Sequence, residues 1–559
     1  MGTATESQQA YILNAKTEDR RPATESPAPI WENIGARKRA LLSASIPEEW
    51  RVPATLLPPD AQDDVTTWPA TSGWFTQAEL DITEQTATQL VAKLTTGALS
   101  SETVTRAFCK RAAAAHQLVN CLSETCFERA LATARARDAH FAKTGQPVGP
   151  LHGLPISLKD NFKLAGLDST VGFSSHVGDA AADDSMLAKV LEEAGAVFYV
   201  KTNVPTAMMI AETINNVFGR TLNPRNRQTT SGGSSGGESA LLVLNGSPIG
   251  VGTDIGGSLR IPAACTGIFT LRPSVGRFPV RDCRSGMPGQ EGVMSVNGPM
   301  ARTLADIALY SRVVVQGRPW LRDAKCLPLP WQPRAAPPTL RIGVMWDDTL
   351  VRPTPPVARA LRHTVARLLR AGHDVVDWRP TDMLQSLTMI SRFFVADGAA
   401  AIRKELARTG EPWRPEMDAY RDAQPMSVFD VWSLQTERTA FQNANLDRWN
   451  EAGLDALLLP TMPYVTHRHN GTRHVAYTAI VNILDVSAVS FPTGLTVDKT
   501  IDVVGPEYEA LSDTCEAIHA EYDSDLLDGM PISLQLVARK LEEEQVLGMT
   551  ESVLQALSD

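Results

Sequence analysis

Residues 226–260 read NRQTTSGGSSGGESALLVLNGSPIGVGTDIGGSLR and contain two glycine-flanked serine clusters, at 232–237 and at 256–258. Glycine has no Cβ, so the chain can adopt φ > 0 there, a ligand can approach closely, and a serine in the turn is presented to it. A run of backbone N–H groups that leads into a helix also attracts anions. The two clusters therefore predict a site built largely from backbone.

These glycines do not match the known phosphate-binding loops. Such a loop ends in Gly-Lys-Ser/Thr, or has the spacing Gly-x-Gly-x-x-Gly directly after a strand. Gly250 and Gly252 begin the second pattern, but Ile255 stands where its third glycine belongs. The segment therefore does not predict a nucleotide site.

The composition is that of a soluble globular protein: 559 residues, 43% hydrophobic and 21% charged. Fifty-three basic residues against 63 acidic ones give a net charge of −10, and the basic run at 36–40 is short. Nucleic-acid binding usually requires clustered Lys and Arg, so we expect no nucleic-acid partner.

Neither cysteines nor apolar segments indicate export or membrane insertion. The seven cysteines are scattered and form no Cys-x-x-Cys pair, which predicts a reduced protein without a disulfide framework. Residues 1–16 lack the basic region and apolar core of a signal peptide, and no apolar run approaches the roughly 18 residues of a membrane span. We therefore expect a cytoplasmic protein without a membrane span.

Strand and helix patterns alternate from Leu151 onward, which predicts an α/β fold. Apolar segments at 456–463, 486–497 and 529–538 predict three strands that close the sheet. Before this region we expect helices at 84–96, 101–115 and 124–144. Residues 1–80 are polar and proline-rich, with one helix at 30–43, and predict an extension that wraps the main body. Its packing anchors would be four tryptophans, Trp31, Trp50, Trp68 and Trp74.

The sequence GGSSGGE followed by GTDIGGSLR resembles the amidase signature hydrolases. Further segments resemble landmarks of that family in the family's order: GPLHGLPISLKD at 149–160, KTNVP at 201–205, GPMAR at 298–302 and GMPISLQLV at 529–537. The N-terminal extension, the insert at 498–528 and the ending KLEEEQVL are most similar to the fungal acetamidase and general amidase branch. Ala538 departs from the family, which often has glycine there.

The resemblance implies a fold and a domain division. It implies the amidase signature fold, a large mixed β-sheet core covered on both faces by α-helices. The catalytic domain would span 81–559, with 1–80 as the N-terminal helical extension.

Amide hydrolysis needs a nucleophile, a base and donors for an oxyanion. A Ser-His-Asp catalytic triad has little support, because the Gly-x-Ser-x-Gly motif around a nucleophilic serine is missing and no histidine lies near either cluster in sequence. A neutral lysine can replace histidine, since burial in an apolar wall lowers the pKa of its amine. Lys159 and Lys201 both end apolar strands, and the residues alone do not choose between them.

The resemblance makes that choice and supplies the other roles. It implies Lys159 as the base, Ser258 as the nucleophile and Ser234 as the relay between them, with a cis peptide between Gly233 and Ser234. It places an oxyanion hole on four backbone N–H groups, those of Ile255, Gly256, Gly257 and Ser258, and it implies no cofactor.

Other polar residues of these segments have structural explanations. Ser235 would orient its neighbour, and Lys201 would form an ion pair at the strand end. Three charged residues would hold the loops by hydrogen bonds, namely Asp160, Asp254 and Arg260.

Two further groups leave alternatives open. Met208 and Met209 line an acyl pocket or fill the core. The second group consists of His467, His469 and His474. These histidines form a polar rim, which suits the arginines of their loop, or they bind a metal.

Three functions fit this sequence. The leading one is hydrolysis of a small-molecule carboxylic amide to the acid plus ammonia or an amine. The second is an amidotransferase subunit that uses the same triad to pass ammonia to an aminoacyl-tRNA, against which the acidic charge argues. The third is a non-catalytic homologue that acts as a binding protein. The sequence leaves a homodimer open and does not identify the amide.

Overall fold

A mixed β-sheet of 11 strands organises the computed structural model, which describes residues 29–505 and 508–558. Two further strands, β4 and β5, form a separate hairpin. The strands are β1 Leu122–Thr125, β2 Pro155–Lys159, β3 Val197–Thr202, β4 Ile214–Asn215, β5 Gly219–Arg220, β6 Ile249–Asp254, β7 Phe269–Arg272, β8 Val296–Ala301, β9 Arg341–Val344, β10 Asp374–Asp377, β11 Ala456–Pro460, β12 Ala488–Thr496 and β13 Pro531–Val537.

The order of the strands across the large sheet is β1-β3-β2-β6-β8-β7-β12-β13-β11-β9-β10. Strands β3, β2 and β6 are neighbours and run parallel. The carboxyl ends of parallel strands lie at one edge of a sheet, so the ends of β2 and β6 bring Lys159 and Asp254 to the same edge.

Nineteen α-helices occur among the described residues. They are α1 Ile30–Ala44, α2 Trp68–Thr71, α3 Gln77–Thr83, α4 Ala87–Leu94, α5 Ser101–Val119, α6 Phe127–Thr144, α7 Met186–Glu193, α8 Gly236–Val243, α9 Arg260–Thr266, α10 Leu304–Gln316, α11 Pro355–Arg370, α12 Met383–Phe394, α13 Ala400–Ala407, α14 Asp418–Arg421, α15 Val428–Glu451, α16 Ala476–Leu484, α17 Asp513–Ala520, α18 Ser524–Leu527 and α19 Glu543–Ser558.

The sheet is buried on both faces, as β11 illustrates. Successive side chains of a strand point to opposite faces. Leu458 packs in an apolar cluster with residues of α11 and α19, whereas Leu457 and Leu459 pack in a second cluster with residues of α12, α15 and α16. The predicted α/β fold, a large mixed sheet covered by helices on both faces, is confirmed.

Two predictions about individual elements were wrong. The helix expected at 124–144 begins only at Phe127, because Leu122–Thr125 is the edge strand β1 and pairs antiparallel with β3. The three apolar C-terminal segments do form strands, but they do not close the sheet. They form the adjacent strands β12, β13 and β11, and β9 and β10 continue the sheet beyond them.

The described part of the N-terminal segment packs against the rest of the molecule. Trp50 is buried and meets Phe127 edge-on at 5.2 Å between ring centroids, and Trp68 is buried against Phe75 at 6.3 Å. Trp31 and Trp74 are half-buried. Residues 1–28 of the predicted extension lie outside the described residues. None of the helices in the described ranges combines the length and apolar character needed to cross a bilayer.

Candidate active site

Lys159 is the last residue of β2 and its side chain is fully buried. Its Nζ lies 2.8 Å from Ser234 Oγ, 2.9 Å from Ser235 Oγ and 2.7 Å from Thr253 Oγ1. Burial lowers the pKa of the Lys159 amine to about 7, although the acidic groups nearby act to raise it: Asp254, Glu238 and Asp160. The structure thus places a buried amine among three hydroxyl groups.

Lys201, the other candidate base, lies elsewhere. In the parallel pair of β2 and β3, Lys201 is aligned with Leu158, one residue out of step with Lys159. Its side chain is therefore directed to the opposite face of the sheet. Its Nζ donates to Ser169 Oγ (2.8 Å) and to the carbonyl of Asp168, and lies 4.0 Å from Asp160 Oδ1.

The first serine cluster is a tightly enclosed turn that precedes α8. The peptide between Gly233 and Ser234 is cis. A Cβ added to Gly233 would lie 2.6 Å from the amide nitrogen of Glu212, and one added to Gly237 would lie 2.5 Å from that of Asn203. Backbone therefore packs directly on backbone at these positions, which explains why only glycine fits there.

Glu238, in the first turn of α8, lies beneath this cluster and is fully buried. Its carboxyl accepts hydrogen bonds from Ser157 Oγ (2.5 Å) and from Thr202 Oγ1 (2.8 Å). Burial raises the pKa of Glu238 to about 8 against the opposing effects of these two hydroxyls and of Lys159. Ser157 and Lys159 are two residues apart on β2 and share a face, so Glu238 and Lys159 lie on the same side of the sheet.

Ser258 lies in the turn between β6 and α9 and is half-buried. Asp254 holds this turn: its carboxylate accepts from the backbone amides of Gly257 (2.8 Å) and Leu259 (3.2 Å). Within the described residues, Ser258 Oγ has no hydrogen-bond partner.

The four amides predicted for the oxyanion hole are not equivalent. That of Gly257 donates to Asp254, whereas those of Ile255, Gly256 and Ser258 have no acceptor among the described residues. Thr478 Oγ1 on α16 donates to the carbonyl of Gly256 at 2.8 Å and so also holds the turn.

Arg260 and Asp254 form a buried ion pair under the turn, with 3.1 Å between Nε and Oδ2. Burial by itself raises the pKa of Asp254, but Arg260, helped by Arg272 and Asn482, lowers it to about 2. The Arg260 guanidinium also donates to Asn482 Oδ1 (2.7 Å) on α16 and to Gln535 Oε1 (3.1 Å) on β13.

Met208 and Met209 are half-buried on the surface of an apolar cluster and do not lie within the core. Ile255 and Phe394 pack against the same cluster. A Cβ at Gly256 would lie 3.3 Å from Phe394 Cζ, so this apolar cluster extends to the turn that carries Ser258. We call the part of its surface formed by Met208 and Met209 the apolar wall.

The three histidines do not converge on one point. His474 is buried and bonds Asp348, His467 bonds Thr472, and His469 bonds the carbonyl of Arg227. The described ranges 29–505 and 508–558 contain no group of three or more side chains arranged to hold a metal. His467 and His469 line a surface cleft together with Arg468 and Arg473, in keeping with a polar rim.

Sequence reasoning missed three polar residues of this site. Thr253 bonds Lys159, Thr478 bonds the serine turn, and Glu238 lies beside Lys159. Thr253 and Glu238 belong to the segments GTDIGGS and GGSSGGE, so proximity in sequence was an available signal. Thr478 approaches from α16, and no local pattern indicates that contact.

The family model described as amidase matches residues 103–547. The acetamidase of Emericella nidulans is 40% identical over 539 residues, which cover 94% of this chain and 97% of that protein. The acetamidase of Aspergillus oryzae is 39% identical and covers 94% of this chain and 99% of that protein.

Among solved structures, a fatty acid amide hydrolase superposes with a TM-score of 0.91 at 33% identity and covers 95% of both chains. A bacterial aryl acylamidase superposes with a TM-score of 0.70 at 22% identity, which bears on the fold alone. The chain belongs to the amidase family, whose members hydrolyse amides, and is an enzyme of that class.

Proposed function

We propose that this enzyme cleaves a small-molecule carboxylic amide through an acyl-enzyme on Ser258, with Ser234 and Lys159 as the proton relay. The observation that carries the proposal is the contact between Lys159 Nζ and Ser234 Oγ at 2.8 Å, by a fully buried amine. An amine with a pKa of about 7 is neutral in a substantial fraction near neutral pH and can accept a proton.

The surroundings of Lys159 match a neutral amine. Such an amine has two N–H donors and one lone pair, and three oxygens surround this one. Donation to Ser235 Oγ and Thr253 Oγ1 leaves the lone pair free to accept the proton of the Ser234 hydroxyl. Ser235 and Thr253 therefore orient the base.

In the first half-reaction Ser234 takes the proton of Ser258 as it passes its own to Lys159. Ser258 Oγ forms a bond to the amide carbon, and the tetrahedral intermediate collapses when the C–N bond breaks. The amine or ammonia leaves with the proton returned from Lys159 through Ser234. Water then attacks the ester carbon as it passes a proton through Ser234 to Lys159, and the acid leaves when the bond to Ser258 Oγ breaks and Ser258 takes that proton back. The link between Ser258 and Ser234 would close when substrate binds, as catalytic hydrogen bonds often do.

The negative oxygen of the intermediate needs preorganised donors. The amides of Ile255, Gly256 and Ser258 are available for this role, whereas Gly257 is engaged by Asp254. We therefore modify the predicted oxyanion hole to three donors, with Gly257 as the residue through which Asp254 shapes the turn. The wall formed by Met208 and Met209 would receive the acyl group.

The test is a panel of primary amides with acyl groups from acetyl to long alkyl and aryl, scored by ammonia release. We expect hydrolysis of at least one class, and we expect Ser258→Ala to reduce kcat/KM for it by roughly 10⁴-fold or more. The Ser258→Ala protein should remain folded, because a half-buried hydroxyl that has no partner among residues 29–505 and 508–558 contributes little to packing. Near-normal turnover by folded Ser258→Ala would contradict the assignment.

A further inference from the structure

Lys38 is buried although it lies on the N-terminal helix α1, outside residues 103–547 that match the amidase family. Its Nζ donates to Asp168 Oδ2 at 2.7 Å and to the carboxylate of Glu124. The helix is also anchored beside Lys38, because Arg39 donates to the carbonyl of Val217 at 2.5 Å. A residue of the N-terminal segment thus enters the interior of the catalytic domain.

Lys38 belongs to a buried charge cluster of three carboxyl groups and two amines, namely Glu124, Asp160, Asp168, Lys38 and Lys201. The cluster holds the loop at 168–173. Lys201 donates to the carbonyl of Asp168 and to Ser169 Oγ, and Asp160 accepts from the amide of Val171 at 2.7 Å. Without Lys38, one amine would face three buried carboxyl groups, which is costly in a low-dielectric interior.

The loop at 168–173 packs directly against the segment that leads to Met208 and Met209. A Cβ at Gly172 would lie 2.7 Å from both the carbonyl oxygen of Pro205 and the Cα of Thr206, so the two backbones are in contact. Val171 and Phe173 belong to the apolar cluster on which the two methionines lie. A displacement of the loop would therefore be transmitted to the apolar wall.

From this chain of contacts we infer that Lys38 is a positioning residue, through which helix α1 sets the placement of the Met208–Met209 wall and hence the affinity for the acyl group. The inference rests on the proposed function, in which that wall receives the acyl group. It makes the N-terminal helix part of the substrate-binding architecture even though it is remote from the serines in sequence.

The test compares Lys38→Met with the wild type on two primary amides, one with a long alkyl acyl group and one with an acetyl group. We expect KM for the long amide to rise about five- to tenfold, because uniform binding is lost, with kcat changed by less than about twofold. KM for acetamide should change by less than about twofold. Each kcat is calculated from the concentration of active sites, which is measured by acylation of Ser258, so unfolded protein does not affect the value.

Two further variants separate positioning from mere stability. Lys38→Arg keeps the cation and should return KM for the long amide toward the wild-type value. Arg37→Met removes an exposed charge from the same helix and should leave both KM values unchanged. If Lys38→Met does not fold, Asp168→Asn is used in its place. This substitution weakens the same ion pair with little change of shape, so KM for the long amide should also rise.

Unchanged KM values in folded Lys38→Met, or equal increases for both amides, would overturn the inference. Failure of the wild type to hydrolyse any amide would instead overturn the proposed function, so the two failures are distinguishable.

Discussion

Lys159 and Lys201 are both fully buried and both occur at the ends of apolar strands. Of the two, only Lys159 contacts the first serine cluster, at Ser234. Strand register makes the difference, because Lys201 is aligned with Leu158 and points to the other face of the sheet. Lys201 contacts Asp168, Ser169 and Asp160, and these contacts indicate a structural role for its amine.

The first prediction concerns pH. If neutral Lys159 is the base, kcat/KM should fall roughly tenfold per pH unit as pH drops below about 7, since the amine with a pKa of about 7 becomes protonated and loses its lone pair. The rate should reach its plateau at neutral to alkaline pH. Lys159→Met should lower kcat/KM by about 10²- to 10⁴-fold, the usual contribution of a general base.

Lys201→Met is the matched control, because it removes an equally buried lysine from the neighbouring strand. It should lower the melting temperature and keep the acid limb of the pH profile in place. An essential Lys201 together with a dispensable Lys159 would reverse the assignment and remove the relay through Ser234.

A second prediction concerns Glu238, whose pKa of about 8 leaves the carboxyl mostly uncharged in the pH range where Lys159, with a pKa of about 7, titrates. Glu238→Gln keeps the shape of the side chain and its neutral state, so the pKa of Lys159 should change little. The acid limb of kcat/KM against pH should therefore stay in place. Because Ser157 and Thr202 can still donate to the amide oxygen of Gln, the fold should be retained.

Glu238→Leu is the contrasting variant, since it leaves both hydroxyls without their acceptor and should be markedly less stable. A folded Glu238→Gln enzyme whose acid limb moves to lower pH would show instead that Glu238 is ionised beside the base and raises the pKa of Lys159.

At the level of elements, the turn between β6 and α9 has no room for a side chain at Gly257. Its φ is +132°, and a Cβ would lie 2.4 Å from Thr478 Oγ1 and 2.7 Å from Ile261 Cδ1. The third prediction is that Gly257→Ala displaces the neighbouring amides and lowers kcat by roughly 10²-fold or more, the cost of losing a preorganised oxyanion donor. Steady-state kinetics on the best amide of the panel measures this.

Gly166→Ala separates this effect from ordinary backbone strain. Gly166 also has a positive φ, +80°, but a Cβ there would meet no atom of the described residues within 4 Å. This variant should lose about 1 kcal/mol of stability through backbone strain and keep its kcat. Equal kcat in the two variants would contradict a catalytic role for the turn.

Several elements were predictable because their signals are local. The apolar runs PISLK and VFYVKT form β2 and β3. The helix expected at 101–115 is α5, which begins at Ser101 and is capped by Ser100, whose hydroxyl accepts from the amide of Thr103. The helix predicted at 124–144 includes the last two residues of the edge strand β1, because LSET is short and its pairing with β3 is a tertiary contact that no local pattern encodes.

At the level of the whole molecule, the sequence predicted the fold class but not the order of the strands. β7 pairs with β12 although more than 200 residues lie between them, and hydrophobic patterning carries no information about such partners. The same limit applies to the site, because Asn482 and Gln535 reach Arg260 from α16 and β13. Arg260 joins these distant elements to Asp254 and holds the Ser258 turn at the carboxyl end of β6.

The central claim, an acyl-enzyme on Ser258, is tested most directly by mass spectrometry after treatment with a fluorophosphonate, which phosphonylates activated serines. We predict one adduct, on the peptide that contains Ser258, formed at a rate that falls as pH drops below about 7 together with the neutral fraction of Lys159. Lys159→Met should label much more slowly. An adduct on Ser234, on Ser235 or elsewhere, with Ser258 unmodified in active enzyme, would contradict the account.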